Sequence, residues 1–504
     1  MTLIKTRATD GSEVEFLMEK PKAGSVKYVY FAPDRSYVVA FDKKQPISPT
    51  RRDLLERLSG EYRRAIFEQV GGEYWAERFA WPQKIVEYNG QTGFVVPTYQ
   101  KHFFFPKGTE LEGVEKDGKW FTSATNFNCA TNVPQEEKGE LKGYMQICLN
   151  LARAVQRLHA AGLAHSDLSY NNCLVDPKNG RACIIDIDGL VVPGLFPPDV
   201  IGTRDFIAPE VLTTSHLPMR SDPDNPNSPL NPNRRFPCME TDRHALAVLI
   251  YMYLFHRHPL RGGKVWDLDD DKQENLEMGE KALFIEHPKD ITNRVKIKSG
   301  SQELPWIDPS KLPYTMFGPY LSELFEKAFI DGLHNPRLRP PAASWVHELV
   351  KTFDMIQPCR NTSCVTKWFI FDNTTKPKCP YCGTQYKGVL PVLNFYSCFK
   401  SGETHKLDGS RLMVFDGQSL FSWHIDRTIF PNEKLTEEQT KRVGYFQFHG
   451  GRWYLVNETV HGMKNITTGQ EIPPTGSVEL TEGLQLLLKP GNKGRAVSVQ
   501  IVNG

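Results

Sequence analysis

Short runs of β-branched and aromatic residues separated by turns dominate the first hundred residues of the chain. Val26–Phe31 and Tyr37–Phe41 are two such runs, and Lys84–Tyr88 and Gly93–Tyr99 are a second pair, joined by Asn89-Gly90. An Asn-Gly pair between two apolar runs is typical of a tight β-hairpin. The pattern therefore predicts a β-rich N-terminal part of about 100 residues.

Apolar residues recur at the period of an α-helix around residues 50–70 and again from residue 141. Ala245–Phe255 is apolar almost all round, which is typical of a helix buried on every side. Residues 213–240 are rich in proline and asparagine and predict a loop. From about residue 390 to 504, short apolar runs between Gly, Asn and Pro turns predict an all-β segment.

Composition limits the classes of protein that the chain can belong to. Its 504 residues predict several domains, and 40% hydrophobic with 24% charged residues is typical of folded proteins. The balance of 61 basic and 59 acidic residues argues against a generally basic nucleic-acid coat. We expect a cytoplasmic protein without a membrane span, because no run of about 20 apolar residues occurs and the N-terminus is too polar for a signal peptide.

The most informative stretch lies between His165 and Asp188. Asp167 and Asn172 are five residues apart, and Asp186 follows after a predicted β-hairpin. Phosphoryl transfer from a magnesium nucleotide needs one carboxylate to accept the proton of the attacking hydroxyl, and an amide and a second carboxylate to hold the metal. The spacing predicts Asp167 as the base and Asn172 and Asp186 as ligands of Mg²⁺ or Mn²⁺, with Asp188 competing for the metal role.

These residues resemble the protein-kinase superfamily, and the resemblance covers roughly residues 20–350. His165 to Asn172 match the pattern H-x-D-L-x-x-x-N, and residues 202–210 match G-T-x-x-Y-x-A-P-E almost residue for residue. The resemblance implies an α+β, two-lobed fold, ATP as the phosphoryl donor and a protein substrate. It also assigns structural roles in the second lobe to Glu210, Asp242 and Arg339, with Arg339 pairing with Glu210.

The phosphate-binding part departs from the family pattern. The glycine-rich loop keeps one glycine, Gly24, and strict alignment places Asp42 where the family has its phosphate-binding lysine. Lys43 is one residue later and faces the other way on a regular strand. We expect Lys43 to fill the role through a bulge, or else Lys27 from the preceding strand, and we expect Glu61 to be the partner of Lys43.

Two further departures concern regulation and activity. Ser166 stands where many kinases have the arginine that binds a phosphorylated activation loop, and residues 187–202 contain no Ser, Thr or Tyr. We therefore expect no phosphorylation switch in this segment. Ser169 replaces the lysine typical of serine/threonine kinases, which leaves the acceptor residue open. The altered loop and lysine also make a pseudokinase scaffold an alternative, and residues 213–240 a candidate element for substrate docking.

Four cysteines predict a metal site after the kinase-like part. Cys359 and Cys364, then Cys379 and Cys382, form two close pairs that flank aromatic residues of a predicted hairpin. Four thiolates suit a tetrahedral Zn²⁺ and leave no open position, so the role is structural. The pattern resembles a zinc ribbon. Its local positive charge makes nucleic-acid binding a further alternative, although a solvated surface is the simpler reading.

The last 110 residues resemble a forkhead-associated β-sandwich, without a clear set of phosphothreonine ligands. The expected domains are residues 1–354 (first lobe about 1–100, second about 101–354), the ribbon at 355–390 and the sandwich at 391–504. This order resembles bacterial kinases of tellurium-resistance-associated stress operons. That resemblance implies recruitment of a partner by the C-terminal modules, with a phosphatase and a von Willebrand A-type protein as associated proteins.

Overall fold

The computed structural model describes the chain except residues 1, 19–21, 24–25, 126–132, 193–194, 197–200, 226–227, 302, 373–375 and 400–403. For residues 22 and 23 it describes the backbone only. Gly24, the glycine expected above the phosphates, lies outside the described residues. The chain forms two compact units, one of residues 1–139, 143–310 and 324–346, the other of residues 140–142, 311–323 and 347–504. No helix in the described ranges is long and apolar enough to cross a bilayer.

The strands of the first unit form a five-stranded antiparallel sheet in the order β3-β4-β5-β7-β6 and two hairpins, β1–β2 and β8–β9. They are β1 (Thr2–Arg7), β2 (Glu13–Met18), β3 (Lys22–Ala23), β4 (Lys27–Phe31), β5 (Tyr37–Asp42), β6 (Lys84–Tyr88), β7 (Gln91–Pro97), β8 (Cys173–Asp176) and β9 (Arg181–Ile184).

The five-stranded sheet is covered on both faces. On one face Val39 and Phe41 pack with Phe16 of the β1–β2 hairpin. On the other face Ala40 and Phe94 pack with Leu55 of the first helix. Successive residues of a strand point to opposite faces, so both sets of apolar positions in β5 are buried. The sequence analysis predicted strands β4 to β7 but not the β1–β2 hairpin, which covers the sheet.

The helices of the described ranges include the segments that the apolar pattern predicts as helical, near residues 50–70, from residue 141 and at residues 245–255. They are α1 (Pro49–Arg57), α2 (Arg63–Phe67), α3 (Gly72–Ala76), α4 (Leu141–Ala160), α5 (Pro209–Thr214), α6 (Met239–Phe255), α7 (Asp270–Met278), α8 (Gly318–Glu326), α9 (Ala342–Phe353), α10 (Ser422–Ile425) and α11 (Glu437–Thr440). A π-type turn at Leu58–Tyr62 joins α1 to α2. Helix α6 is buried from residue 244 to residue 255, as its uniformly apolar sequence predicts.

Helix α1 begins beside the sheet because of its local sequence. Ser48 is its N-cap, and the Ser48 hydroxyl accepts a hydrogen bond from the Arg51 N–H at 3.1 Å. Pro49 follows at a position where a missing N–H costs nothing, since the first amides of a helix have no partner within it. The cap places Arg51 in the first turn, and this position decides the geometry of the site.

The second unit contains the cysteine pairs and the C-terminal strands. A short antiparallel pair, β10–β11, is followed by two sheets in the orders β13-β12-β20-β19-β17 and β14-β15-β16-β18. The strands are β10 (Ile356–Pro358), β11 (Trp368–Ile370), β12 (Val389–Ser397), β13 (Lys406–Met413), β14 (Ser419–Phe421), β15 (Arg442–His449), β16 (Arg452–Asn457), β17 (Lys464–Asn465), β18 (Ser477–Glu479), β19 (Gln485–Leu487) and β20 (Arg495–Asn503).

Candidate active site

A buried carboxylate, that of Asp242, holds the loop from His165 to Asn172 in place. Asp242, in the first turn of α6, accepts hydrogen bonds from the His165 N–H at 2.7 Å and the Ser166 N–H at 3.3 Å. His159 Nε2 donates to the same carboxylate at 3.1 Å. Ser166 has a φ of +66°, a left-handed conformation that is costly outside glycine and that these two backbone bonds hold in place.

Asp167 and Asn172 contact each other directly. Asn172 Nδ2 donates to Asp167 Oδ2 at 2.9 Å and to the Asp167 carbonyl at 2.8 Å. The other oxygen of the Asp167 carboxylate accepts from the N–H of Thr203 at 2.6 Å and from its hydroxyl at 2.9 Å. Four donors thus fix the Asp167 side chain and its backbone in a partly buried position. The Asn172 amide nitrogen is engaged, so its oxygen is the atom that the residue can offer to a cation.

Asp186 is brought to this loop by the β8–β9 hairpin. Cys173 pairs with Ile184 across the hairpin, and the Ile185 N–H then donates to the Asn172 carbonyl at 3.0 Å. His165 Nε2 donates to the Ile185 carbonyl at 2.9 Å. Asp186 follows with a φ of +62°, and its side chain stays 49% exposed. The predicted base and both predicted metal ligands therefore lie at one site.

Lys27 of β4 reaches the same site from the sheet. Its Nζ lies 2.6 Å from Asp186 Oδ1 and 2.7 Å from Asp188 Oδ1. The Lys27 side chain is 15% exposed and that of Asp188 is 7% exposed, in contrast with Asp186. Lys27 thus bridges the exposed carboxylate and the buried one.

Arg51 of α1 extends this bridge to the end of β5. Arg51 Nη2 lies 2.6 Å from Asp188 Oδ2, and Arg51 Nη1 donates to the Asp188 carbonyl. Arg51 Nε lies 2.9 Å from Asp42 Oδ2. The five side chains alternate in sign, in the order Asp186, Lys27, Asp188, Arg51, Asp42, and we call them the charge chain. With three carboxylates and two cations, the charge chain has a net charge of −1.

Contacts within the charge chain favour the charged forms of Asp188, Lys27 and Arg51. Burial by itself would raise the pKa of Asp188, but Lys27 and Arg51 more than offset this and hold that pKa at about 2. Burial likewise opposes the charged form of Lys27, yet Asp188 and Asp186 raise the Lys27 pKa above its ordinary value. Arg51 is affected in the same way by Asp188 and Asp42. Asp188, Lys27 and Arg51 therefore stay charged at neutral pH.

The structure does not bring Lys43 and Glu61 together. Lys43 is exposed, and its Nζ lies over the Tyr28 ring, 5.4 Å from the centroid. Glu61 is also exposed and pairs with Arg57 at 3.0 Å, one turn earlier on the helix. The physical reason is strand geometry: Asp42 is the last residue of β5, and Lys43 follows after the strand has ended. Lys27, the alternative lysine, is the one that reaches Asp186.

Sequence reasoning did not identify Arg51. It noted Asp42 only as the residue that stands at the position of the family's lysine. The signal available was the carboxylate in the lysine position, which calls for a cation opposite it. That cation could have been sought in the first turn of the following helix. In the sequence Asp188 competes with Asp186 for the metal role, and the structure places Asp188 between two cations.

Glu210 and Arg339 form the pair that the sequence analysis expected. Arg339 Nη1 and Nη2 lie 2.8 Å and 2.7 Å from the two Glu210 carboxylate oxygens. Arg339 is almost fully buried and also donates to the carbonyls of Gly332, Leu333 and Glu240. A bidentate pair in which the buried Arg339 uses every one of its N–H donors is a structural feature.

The four predicted zinc ligands form one cluster in the second unit. The sulfur atoms of Cys359, Cys364, Cys379 and Cys382 all lie within 4.8 Å of one another. The first pair lies in the loop between β10 and β11, and the second lies inside the bridge Lys378↔Gln385. Each pair of cysteines thus lies in the connection of a separate strand pairing, whereas we expected both pairs of cysteines to flank a single hairpin. Four convergent thiols fit a tetrahedral cation such as Zn²⁺.

Hydroxyl groups support two of the four sulfur atoms. The Thr366 hydroxyl lies 3.4 Å from Cys364 Sγ, and the Thr384 hydroxyl lies 3.2 Å from Cys382 Sγ. Both threonines come two residues after the cysteine that they contact. Such outer contacts orient metal-binding side chains.

Comparison with known proteins gives weak matches. No protein-family model matches the chain. A dual serine/threonine and tyrosine protein kinase of Gallus gallus is 35% identical over 74 residues, which is 15% of this chain. The chain spans 8% of the length of that relative.

Two solved kinase structures resemble the chain at low identity. One is the kinase domain of a Toxoplasma gondii rhoptry antigen, with 12% identity, coverage of 70% of this chain and 85% of that one, and a TM-score of 0.42. The other is a kinase of Cydia pomonella granulovirus, with 14% identity, coverage of 66% and 92%, and a TM-score of 0.38.

The architecture of the first unit is that of a protein-kinase-like fold. A five-stranded sheet with one adjacent helix precedes a helical part, and the loop from His165 to Asn172 is supported by the carboxylate of the central helix. The hairpin after this loop returns to Asp186, and Glu210 pairs with Arg339. The motifs that the sequence places in order are thus joined by contacts in space, and the chain has a protein-kinase-like fold in its first unit.

Proposed function

We propose that the chain is an ATP- and Mg²⁺-dependent protein kinase that phosphorylates a serine or threonine of a protein partner or of itself. The observation that carries this proposal is the meeting of Asp167, Asn172, Asp186 and Lys27 at one site. A carboxylate and an amide oxygen are the hard ligands that Mg²⁺ and Mn²⁺ prefer. A buried lysine beside them supplies the positive charge that phosphoryl transfer requires.

Asp167 is the proposed base. The hydroxyl oxygen of the acceptor attacks the γ-phosphorus, the bond to the β–γ bridging oxygen breaks, and ADP leaves. Asp167 takes the hydroxyl proton, while Thr203 and Asn172 hold its carboxylate in a fixed orientation. Asn172 and Asp186 would hold the metal ion, which when bound offsets the charge of the phosphates.

Lys27 is the proposed phosphate lysine, in place of Lys43. Its ammonium group already lies beside the proposed metal ligand Asp186, at the distance of a direct ion pair. A nucleotide phosphate that approaches Asp186 would therefore meet Lys27 first. Lys43 is exposed and lies over Tyr28, so we assign to Lys27 the family role that was expected of Lys43.

The test is transfer of radiolabelled phosphate from ATP with Mg²⁺ or Mn²⁺ to a generic acceptor and to the chain itself. We expect transfer by the wild type, none by Asp167→Ala or Asp186→Asn, and a loss of about 100-fold or more in Lys27→Met. Lys43→Met is the matched control and should retain transfer. Phosphoamino-acid analysis of the product then distinguishes serine or threonine from tyrosine.

The second candidate function is a pseudokinase scaffold. One observation favours it: Lys27 pairs with Asp186, so a metal nucleotide must compete with this ion pair before it binds. A wild-type chain that binds no nucleotide and transfers no phosphate would establish the scaffold. Nucleotide binding without transfer would instead call for an activating partner.

We propose that the second unit recruits a protein partner and does not read phosphothreonine. Only Arg411, Ser419, Ser422 and His424 loosely match the ligand pattern of forkhead-associated domains, and the histidine is engaged within the unit. His424 is buried, its Nδ1 accepts from the Phe421 N–H at 3.1 Å, and its Nε2 lies 3.2 Å from Asp354 Oδ1. Both ring nitrogens are therefore used within the unit. A phosphatase and a von Willebrand A-type protein are the partners that the resemblance to stress-operon kinases suggests. Co-purification with each, against a chain without residues 391–504, tests this.

A further inference from the structure

The strand and the helix beside the site exchange charges relative to the pattern that the chain resembles. In that pattern the strand carries the lysine and the helix carries a glutamate. Here β5 ends with Asp42, and α1 provides Arg51, whose Nε lies 2.9 Å from Asp42 Oδ2. The pair between strand and helix is kept, but its polarity is reversed. Because α1 presents a cation here, it cannot form an ion pair with a lysine. The lysine of the site therefore needs an anion from another segment of the chain.

The lysine that reaches the site lies on the neighbouring strand, β4. Lys27 pairs directly with Asp42 in the antiparallel register of β4 and β5. Side chains that are directly opposite on two paired strands lie on the same face of the sheet, about 5 Å apart at Cβ. Lys27 therefore enters the same space as a lysine at position 42 would. The negative charge of Asp42 lies beside it and is balanced by Arg51.

Asp188 is the anion that holds Lys27. It is buried, and each of its carboxylate oxygens faces one cation: Lys27 Nζ at 2.7 Å and Arg51 Nη2 at 2.6 Å. Asp186 contributes one oxygen to Lys27 and is half exposed. Asp186 thus has the accessible oxygen that a metal ligand needs, whereas Asp188 is shared between two cations.

We propose that Arg51 is a positioning residue that sets how tightly Asp188 holds Lys27, and through this the affinity of the site for ATP. The proposal rests on the proposed function and deepens it. With Arg51 present, Asp188 divides its charge between two partners, and Lys27 can turn to a phosphate. Without Arg51, Asp188 keeps Lys27 as its remaining cation and competes with the nucleotide. The position of α1 therefore controls nucleotide binding through Asp188, and not through a direct pair between the helix and Lys27.

The experiment measures MgATP dissociation constants by calorimetry, together with kcat, for full-length variants. Arg51→Gln should weaken MgATP binding about tenfold, within the range of coupling between groups in contact. Arg51→Lys keeps the charge and should recover most of the affinity. Arg52→Gln is the matched control, because Arg52 is the next residue, has a side chain that is 39% exposed, and pairs with Glu87 instead.

The decisive variant combines Arg51→Gln with Asp188→Asn. Removing the charge of Asp188 releases Lys27, so the double variant should bind MgATP better than Arg51→Gln alone. A merely structural role of Arg51 predicts that the second substitution adds to the damage. Thermal unfolding of each variant separates loss of folding from loss of binding. If Arg51→Gln fails to fold, the MgATP dissociation constants of Arg51→Lys and Asp188→Asn are compared instead.

Three results overturn the proposal or its basis. Equal MgATP binding by the wild type and Arg51→Gln refutes the positioning role alone. A double variant that binds no better than Arg51→Gln, with Mg²⁺ dependence lost in Asp188→Asn, would make Asp188 the metal ligand. A wild-type chain that does not bind MgATP refutes the proposed function itself, so the two failures are distinguishable.

Discussion

Asp188→Asn tests whether the charge chain is ionised, through the free energy of unfolding and its dependence on pH. The pKa of Asp188 is held at about 2 in the folded chain, against an ordinary value of 3.8. A carboxyl group with a lowered pKa stabilises the fold above its unfolded pKa, and this contribution is lost as pH falls towards the folded pKa. The difference corresponds to about 2 kcal/mol at pH 7 and about 1 kcal/mol at pH 3.

The assay is urea unfolding followed by tryptophan fluorescence at pH 7, 5, 4 and 3. We expect the wild type to exceed Asp188→Asn by about 2 kcal/mol or more at pH 7, because the substitution also leaves Lys27 and Arg51 with one carboxylate fewer. The advantage should shrink below pH 4. Asp53→Asn is the control: Asp53 forms an exposed pair with Arg57, so its loss should cost less than about 1 kcal/mol. An advantage of Asp188 that stays the same from pH 7 to pH 3 would refute an ionised Asp188.

Three further predictions concern metal, packing and the second lobe. Metal analysis should find one Zn²⁺ per chain. Cys379→Ser should release this ion, and the backbone amides around β10 and β11 should then lose protection from hydrogen exchange. Full protection of these amides after the metal is removed by a chelator would contradict a structural metal. Arg339→Met should destabilise the first unit by about 3 kcal/mol in urea unfolding, because it leaves the Glu210 charge unpaired, whereas Arg337→Met on the exposed surface should have little effect. Gly93→Ala should lower the unfolding temperature by an amount that corresponds to about 1 to 3 kcal/mol, since its Cβ would lie 2.7 Å from the Phe41 ring and 2.8 Å from the Ala40 carbonyl; an unchanged temperature would mean that β5 and β7 can separate freely.

Local sequence accounts for the parts of the fold that depend on near neighbours. Strand β6 has the predicted bounds, and α6 is buried as its uniformly apolar composition requires. The contact between Asp167 and Asn172 spans five residues of one loop, so their spacing is enough to bring them together. The short spacing within each cysteine pair likewise brings its two thiols close together, and the proposed tetrahedral metal would need all four.

Tertiary structure decides which cation lies beside Asp186, on the side of the site where we propose that phosphate binds. Lys27 and Asp186 are 159 residues apart, and their contact depends on the register of β4 against β5 and on how the hairpin after Asn172 packs beneath the sheet. Strict alignment places Asp42 at the position of the family's lysine, and the next residue along the chain, Lys43, is the lysine nearest to it in sequence. Paired strands place residues of different segments on one face, and there Lys27 lies opposite Asp42. The charges of Arg51 and Asp188 then fix the choice, because a buried carboxylate is stable only beside cations that long-range packing brings to it.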